Sequence, residues 1–242
     1  MSEIQNQNSV GAKDLMVPLS IVIAGLFVGA GLYFGGGSSQ PGTPLPQPVV
    51  TENTGTQKTI EDYVVEAGVD FAAVQACVDS GEKTAKIERD GQNGTDTGGQ
   101  GTPWSILIGP GGKKYPINGA LPESNVQQLI ALARSEAGQG PGNSEQEVLL
   151  EAVNPVAADD HVKGNPNGDI TIIEYSDYGC GFCARFHSTM NAIVEKNDDV
   201  AWVYRHLPFR AREVAEVSEC VASLGGSDAF WLFSDSFFAD QI

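Results

Sequence analysis

Two cysteines separated by two residues, Cys180 and Cys183, are the side chains in this sequence whose spacing best suits chemistry. They follow the strand-like run 170–175 and open the helix-like run 184–190. Backbone amides in a first helical turn, together with the positive end of the helix dipole, stabilise an anion at the first cysteine. A thiolate attacks a disulfide, and a second cysteine one turn away can resolve the mixed disulfide. The pattern predicts dithiol–disulfide exchange, with Cys180 as nucleophile and Cys183 as resolving thiol.

The alternative for this cysteine pair is half of a zinc site. The sequence has no second C-x-x-C, and the other two cysteines, Cys77 and Cys220, are isolated, so the spacing of a four-ligand zinc site is missing. The histidines His161, His187 and His206 fall on separate elements without ligand spacing, and we expect them to be surface or capping residues. The sequence therefore predicts no metal and no cofactor.

Charge and cysteine count narrow the class of protein. The 242 residues carry 31 acidic and 14 basic side chains, a formal net charge of -17. This composition lacks the basic footprint of a nucleic-acid-binding protein, so we expect no nucleic-acid partner. Four cysteines are an even number, which fits two pairs in an oxidising compartment if the protein is exported.

The N-terminal region predicts export and membrane attachment. Residues 15–34 are 20 consecutive residues without a charge, long enough to span a bilayer as a helix. No convincing cleavage site follows, so we predict an uncleaved anchor rather than a signal peptide; the alternative is a buried helix of a soluble domain. Lys13 precedes this segment, and its positive charge indicates that residues 1–14 are cytoplasmic. The rest of this single-pass cell-membrane protein would then be extracytoplasmic, after a disordered tether over 35–57.

Helical and strand periodicities organise the segment 58–135. We predict two short helices after Lys58, the second capped by Asp70, and a polar helix over 82–97. A β-hairpin is predicted from strands 104–108 and 114–117, with a Gly- and Pro-rich turn between them. An amphipathic helix begins at 122–123, and the Gly-rich stretch 136–146 is predicted to be a linker.

The segment 147–242 has its own pattern. We predict an extra strand within 147–156, a turn-rich lead-in over 160–166, and strands at 170–175 and 200–206. Two helices follow at about 210–224 and 227–239. The aromatic side chains of this segment are predicted to form core and groove lining: Trp202, Phe230, Trp231, Phe233 and Phe237.

Several stretches of the chain resemble a known family. GNPNGDITIIEYSDYGCGFCARFH, VYRHLPF and EVSECVASLGGSDAFWLFSDSFF resemble the first half of a DsbA-like thiol–disulfide oxidoreductase of the bacterial thioredoxin_4 type. AGVDFAAVQACVDSGEKTAKIERDGQNGTDTGGQGTPWSILIG resembles the second half of that family. The resemblance covers most of 58–135 and 160–240. It implies an α/β thioredoxin-like fold with a helical insertion, preceded here by the transmembrane helix.

The order of the two halves is the reverse of the family's order. We infer a circular permutation, in which the new termini lie inside the helical insertion and the old termini are joined by the linker 136–146. Exposed loops tolerate such re-cutting, and domain termini are often close together. The alternative is a pair of half-domains that combine with a second chain, as in a swapped dimer.

The resemblance also assigns roles to residues outside the cysteine pair. Thr102–Pro103 resembles the family's cis-proline loop, which binds the substrate backbone beside the cysteines; the alternative is an ordinary trans proline. Glu174 stands where the family often holds a semi-buried acid that relays protons, although a solvent-facing position is the alternative. Gly181 departs from the family's usual proline.

Cys77 and Cys220 fall in segments that both belong to the predicted helical insertion. The sequence favours a structural disulfide between them, which would stabilise the fold by ~2–4 kcal/mol. Two buried free thiols that pack as small hydrophobic side chains are the alternative.

Three functional hypotheses follow. The first is an extracytoplasmic oxidoreductase that acts on reduced secreted proteins and, as the resemblance implies, is re-oxidised by a DsbB- or VKOR-like membrane partner. The second is a non-catalytic module that binds peptides or a partner and holds Cys180–Cys183 as a structural disulfide. The third is an incomplete product that needs another chain. The sequence does not separate oxidase, isomerase and reductase, because these differ in reduction potential.

Overall fold

The computed structural model of the protein describes residues 58–137 and 145–242, all within the unit Gly55–Ile242. The predicted anchor 15–34, the tether 35–57 and most of the linker 136–146 lie outside the described residues. No helix within the described ranges is long and apolar enough to cross a bilayer.

Seven helices and five strands are found in the described ranges. The helices, α1 to α7, are Ile60–Glu66, Phe71–Ser80, Thr84–Asp96, Glu123–Ser135, Glu145–Leu150, Gly181–Lys196 and Arg212–Ala239. The strands, β1 to β5, are Trp104–Ile108, Lys114–Asn118, His161–Gly164, Ile170–Ser176 and Val200–His206. Asp70 caps α2 by accepting a hydrogen bond from the amide of Ala73 at 2.8 Å, as predicted. The predicted hairpin and the two strands that flank α6 are confirmed.

Two segments, 147–156 and 160–166, differ from the sequence prediction. The segment 147–156 forms no strand: α5 occupies its first part, and Leu150 from this helix is fully buried against the sheet. The stretch 160–166 is more than a lead-in, because β3 pairs antiparallel with β5 there. The two predicted C-terminal helices run together as α7, with Gly226 at φ 81° marking the break between them.

The five strands form one sheet in the order β2-β1-β4-β5-β3. Strands β4 and β5 are parallel and joined through α6, while the other neighbours are antiparallel. Strands from the segment 58–135 therefore lie in the same sheet as strands from the segment 147–242. The connection β4–α6–β5 places the N-terminus of α6 at the carboxyl edge of β4.

Apolar clusters cover both faces of the sheet. The larger one includes Ile172 and Trp202 and packs under α4, α6 and α7. The smaller one includes Ile173 and Tyr175 and packs under α3 and α5. All five predicted aromatic residues join the larger cluster. The cysteine pair is thus held between the carboxyl edge of the sheet and this larger cluster.

Candidate active site

The loop before the cysteine pair is fixed by one buried carboxylate. Asp177, 1% exposed, accepts hydrogen bonds from the amides of Gly179 (2.9 Å), Arg210 (2.8 Å) and Ala211 (3.2 Å). Its carbonyl also accepts from the amide of Cys180 at 3.0 Å. These bonds join the β4–α6 loop to the segment that leads into α7. The sequence analysis overlooked Asp177, because Arg210 and Ala211 lie more than thirty residues away from it.

Cys180 is the N-cap residue of α6, with an extended backbone (φ -112°, ψ 109°). Its sulfur lies 3.3 Å from the carbonyl oxygen of Thr102, and the Thr102–Pro103 peptide bond is cis. The chain thus brings the predicted loop and the predicted nucleophile into contact. Both cysteines are free thiols.

The two thiols differ in environment. Burial alone would raise the pKa of Cys180. Hydrogen bonds from the Thr102 side chain and from the amides of Phe182 and Cys183 lower it by more, so the pKa lies below its ordinary value. Cys183 is fully buried. Burial first, and the charge of Glu174 second, raise the pKa of Cys183 well above its ordinary value. Cys180 keeps 8% exposure and has the lower pKa, whereas Cys183 has none and has the higher pKa. This difference suits attack by Cys180 and resolution by Cys183.

Glu174 lies on β4 in the fully buried core, so the solvent-facing alternative is wrong. Its Oε2 accepts a hydrogen bond from the indole Nε1 of Trp202 at 3.0 Å, whereas its Oε1 has no partner. Burial raises the pKa of Glu174 to about 7. A carboxyl group with this pKa can accept and release a proton near neutral pH.

A disulfide joins Cys77 on α2 to Cys220 on α7, with the two Cα atoms 5.9 Å apart. The structure therefore contains the bond that the sequence favoured over two free thiols. It lies in the helical layer, outside the loop that holds Cys180.

The prediction that the histidines are surface or capping residues is wrong. His161, His187 and His206 are all buried. The Nε2 atoms of His161 and His206 lie 2.9 and 2.8 Å from the carboxylate of Glu219, and His187 lies 2.7 Å from that of Asp235. Their partners come from α7, far along the chain, which no local spacing could indicate. Within the described residues no group of three or more histidine, cysteine, aspartate or glutamate side chains is arranged to hold a metal ion.

Two exposed aromatic side chains lie in the segments that Asp177 joins, one between the cysteines and one before α7. Phe182 is 60% exposed and carries the guanidinium of Arg185 over its ring at 4.4 Å. Phe209 is 59% exposed and precedes the two residues whose amides bind Asp177. Gly181 has open space where a Cβ would lie. Both rings therefore form exposed apolar surface in these segments, whereas Cys180 itself is only 8% exposed.

Comparisons with known proteins agree with this arrangement. A family model described as Thioredoxin matches residues 157–242, which include Cys180 and Cys183. The chain thus contains a thioredoxin-like domain, and its mixed sheet with flanking helices is consistent with that fold. No solved structure matches the chain significantly.

Curated relatives carry the name of ion antiporters. The chain is 33% identical over 99 residues to a Na(+)/H(+) antiporter NhaA 1 of Mycolicibacterium gilvum, and 32% identical over 101 residues to a Na(+)/H(+) antiporter NhaA 3 of Salinispora tropica. These matches cover 38% and 39% of this chain and 15% of each relative. The chain therefore spans about 15% of the length of these relatives.

Proposed function

We propose that this protein is a DsbA-like thiol–disulfide oxidoreductase, which introduces or exchanges disulfides in secreted proteins. One observation carries the proposal: the low-pKa thiol of Cys180 lies at a helix N-terminus and against Thr102, with the buried thiol of Cys183 one turn away. This arrangement provides a low-pKa nucleophile that keeps slight exposure and a resolving thiol that is fully buried.

The oxidised protein would act by two exchanges. A substrate thiolate attacks the Cys180 sulfur of the Cys180–Cys183 disulfide, forms a mixed disulfide and releases Cys183 as a thiolate that takes up a proton. A second substrate thiolate attacks the substrate sulfur of the mixed disulfide and releases Cys180. The substrate loses two electrons and gains a disulfide, and the protein becomes the dithiol. Glu174 would give or take the proton at Cys183, since its pKa is about 7.

Substrate would bind beside the cysteines through main chain and apolar side chains. The loop at Thr102–Pro103 offers backbone groups next to Cys180, as in strand addition. The exposed rings of Phe182 and Phe209 suit contacts with unfolded chains, in which apolar side chains are accessible.

A circularly permuted single domain is part of the proposal. Strands from 58–135 and from 147–242 hydrogen-bond within one sheet, which supports a domain completed by a single chain. A swapped dimer would make the same contacts between two chains. Light scattering over a range of concentrations separates the two: the permuted domain has the mass of a monomer at every concentration, whereas a swapped dimer has twice that mass when concentrated.

The proposal also includes a location and a re-oxidising partner, which depend on residues outside those that the structure describes. An anchor at 15–34 would hold the domain outside the cytoplasmic membrane, where a DsbB- or VKOR-like membrane protein would re-oxidise it. Because the chain spans only about 15% of the antiporters that it resembles, ion exchange is not proposed for it.

A redox titration tests the proposed function. The full chain is equilibrated across glutathione buffers, alkylated and mapped by mass spectrometry. We expect Cys180–Cys183 to titrate as a two-electron couple, near roughly -120 to -180 mV for an oxidase or isomerase and near roughly -270 mV for a reductase. Cys183→Ser is the matched variant, which should accumulate mixed disulfides at Cys180.

Two outcomes contradict the proposal. If Cys180–Cys183 does not titrate, the pair is a structural disulfide and the non-catalytic binding module replaces the enzyme. If Cys180 titrates but Cys183→Ser traps no protein substrate from a secreted-protein mixture, disulfide exchange with proteins is wrong.

A further inference from the structure

Two arginines in the described part of the chain have no acidic partner. The chain has 14 lysine and arginine residues against 31 aspartate and glutamate residues, and every basic residue except Lys13 lies within the described ranges. Each described lysine and arginine other than Arg185 and Arg210 has a carboxylate oxygen within 3.0 Å. In a chain with a formal net charge of -17, an unpaired guanidinium is therefore an exception.

Arg185 lies on the exposed face of α6, close to the cysteine pair. It stands three residues after Phe182, so the two side chains are neighbours on the helix surface. The guanidinium carbon lies 4.4 Å from the centre of the Phe182 ring, and both residues are exposed. Helical side chains lean toward the N-terminus of their helix, where Cys180 is the cap. The contact with the ring thus holds a positive charge at the end of α6 that carries the reactive sulfur.

Arg210 lies in the segment that Asp177 binds to the β4–α6 loop. Its amide donates a hydrogen bond to Asp177 at 2.8 Å, and its Cβ lies 2.8 Å from the position that a Cβ of Gly179 would occupy. Gly179 directly precedes Cys180, so the backbone of Arg210 passes beside the reactive cysteine. Arg210 is exposed. The two unpaired arginines therefore reach the surroundings of Cys180 from two different elements.

The buried acid of this loop forms no ion pair with either arginine. Asp177 is 1% exposed, and its carboxylate already accepts hydrogen bonds from three backbone amides. Against the effect of burial, hydrogen bonds from the Thr102 side chain and from nearby amides lower the pKa of Cys180. Both guanidinium groups remain available to a negative group of a bound substrate.

The spacing of the arginines suits residues next to a substrate cysteine. Arg185 is five residues along α6 from Cys180, which is about 7.5 Å of helix rise. An extended substrate chain advances about 3.3 Å per residue, so two or three residues cover the same distance. A carboxylate there can accept two parallel hydrogen bonds from a guanidinium, a geometry that lysine does not offer.

We propose that Arg185 and Arg210 select substrate segments that carry aspartate or glutamate within about three residues of the reacting cysteine. This inference rests on the proposed exchange function and adds a substrate class to it. A chain with a formal net charge of -17 repels acidic polypeptides on the whole. The two arginines supply positive charge where such a segment must approach, beside the thiol.

Two model peptides test the selection. Each carries one cysteine activated as a 2-pyridyl disulfide, with two glutamates on either side of it in one peptide and two glutamines in the other. The Cys180 thiolate of the full chain, with Cys180 and Cys183 reduced, attacks the peptide sulfur. The bond to the pyridyl sulfur breaks, and 2-thiopyridine leaves with the electron pair and takes up a proton. Cys183 then attacks Cys180 and releases the peptide thiol, so the protein is oxidised and the peptide disulfide is reduced.

This reaction passes through the same mixed disulfide between Cys180 and the peptide as the proposed oxidation. The absorbance of released thiopyridine gives the rate for each peptide. A small neutral thiol, 2-mercaptoethanol, gives the intrinsic ratio of the two peptide reactivities. Relative to that ratio, we expect the chain to favour the glutamate peptide about fivefold, and less at high salt.

The variants separate the two charges from other effects. Arg185→Gln combined with Arg210→Gln should reduce the preference to the 2-mercaptoethanol ratio, whereas lysine at both positions should keep part of it because the charge remains. Arg212→Gln is the matched control, because the exposed guanidinium of Arg212 already pairs with Glu88 at 3.0 Å and Glu216 at 3.3 Å. It should keep the preference of the unmodified chain.

Thiolate absorbance against pH separates substrate selection from an effect on the nucleophile. The combined glutamine variant should have the same pKa of Cys180 as the unmodified chain. If the variant instead raises that pKa and slows both peptides equally, the arginines act on the thiol and the selection is wrong.

The same rates distinguish failure of the selection from failure of the exchange function. If the unmodified chain reacts with neither peptide faster than 2-mercaptoethanol does, the proposed exchange function is wrong. If it reacts faster with both, but the ratio is the same in the unmodified chain and in the combined glutamine variant, the acidic selection is wrong while the exchange function stands.

Discussion

The sulfur of Cys180 lies 3.3 Å from the carbonyl oxygen of Thr102, although the two residues are 78 positions apart in the sequence. The contact joins β1, from the earlier segment of the chain, to the start of α6, from the later one. Two segments that resemble opposite halves of one family thus meet at the reactive sulfur. The properties of this sulfur depend on both.

Thr102→Val should raise the pKa of Cys180, because the hydrogen bond from the Thr102 side chain helps to hold it below its ordinary value. A net hydrogen bond of ~1 kcal/mol corresponds to roughly a fivefold loss of thiolate below the pKa. Thiolate absorbance at 240 nm against pH measures this change. Thr189→Val, at a half-buried site of α6, is the control and should have no effect. An unchanged titration curve in Thr102→Val would contradict the role of Thr102.

Glu174→Gln should change how stability depends on pH. The ordinary pKa of a glutamate is 4.5, whereas burial raises that of Glu174 to about 7. Between these pH values Glu174 is protonated in the folded state and ionised in the unfolded state. The free energy of unfolding therefore falls as pH rises from about 4.5 to about 7, by up to about 3 kcal/mol. Urea unfolding at pH 5 to 8 should show this decline in the reduced wild-type chain and a smaller one in the variant. Glu195→Gln, exposed on α6, should keep the wild-type slope.

Removing the bond between Cys77 and Cys220 should destabilise the fold. The cysteines are 143 residues apart, and a loop of this length loses much conformational entropy when it is closed in the unfolded state. We expect Cys77→Ala combined with Cys220→Ala to lower the free energy of unfolding by about 3–5 kcal/mol. Urea unfolding of the full chain measures this loss. Equal midpoints for the variant and the wild type would show that the disulfide contributes nothing.

Gly181→Pro should be tolerated and should stabilise the protein by about 0.4–1 kcal/mol. Gly181 is the first residue of α6, where proline is favourable, and a Cβ there meets nothing within 4 Å. The amides that lower the pKa of Cys180 belong to Phe182 and Cys183, so this substitution keeps them. Thermal unfolding measures the effect. Gly179→Ala should destabilise instead, because its Cβ would lie 2.8 Å from Cβ of Arg210.

The parts of the fold that the sequence predicted are those with strong local signals. The alternation in β5 and the turn between β1 and β2 depend on neighbouring residues, and both predictions are confirmed. The strand β3 was missed because His161–Gly164 looks turn-rich in isolation and becomes a strand only by pairing with β5. The strand predicted within 147–156 was wrong because Leu150 is buried from a short helix.

The residues of the candidate site also fall into two groups, those with a recognisable signal in the sequence and those without one. Cys180, Cys183 and Thr102 carry a motif or a family resemblance, so they could be identified from the sequence. Asp177 and Glu219 could not, because their contacts with Arg210 and His161 join distant positions in the chain. A buried ion pair or a buried cap needs three-dimensional proximity that local spacing does not encode. For this reason the sequence predicts the histidines to be surface or capping residues, although they lie in the core.

The Cys77–Cys220 bond closes a covalent ring that contains every residue of the candidate active site, from Thr102 to Cys183. A single break of the main chain anywhere inside this ring leaves the two fragments tied together through sulfur. A nicked molecule would therefore run as one species until it is reduced, and its two fragments could not drift apart or be exchanged with those of another copy. The same covalent ring keeps the loop at Thr102 attached to the helix that bears Cys180 even after the protein unfolds.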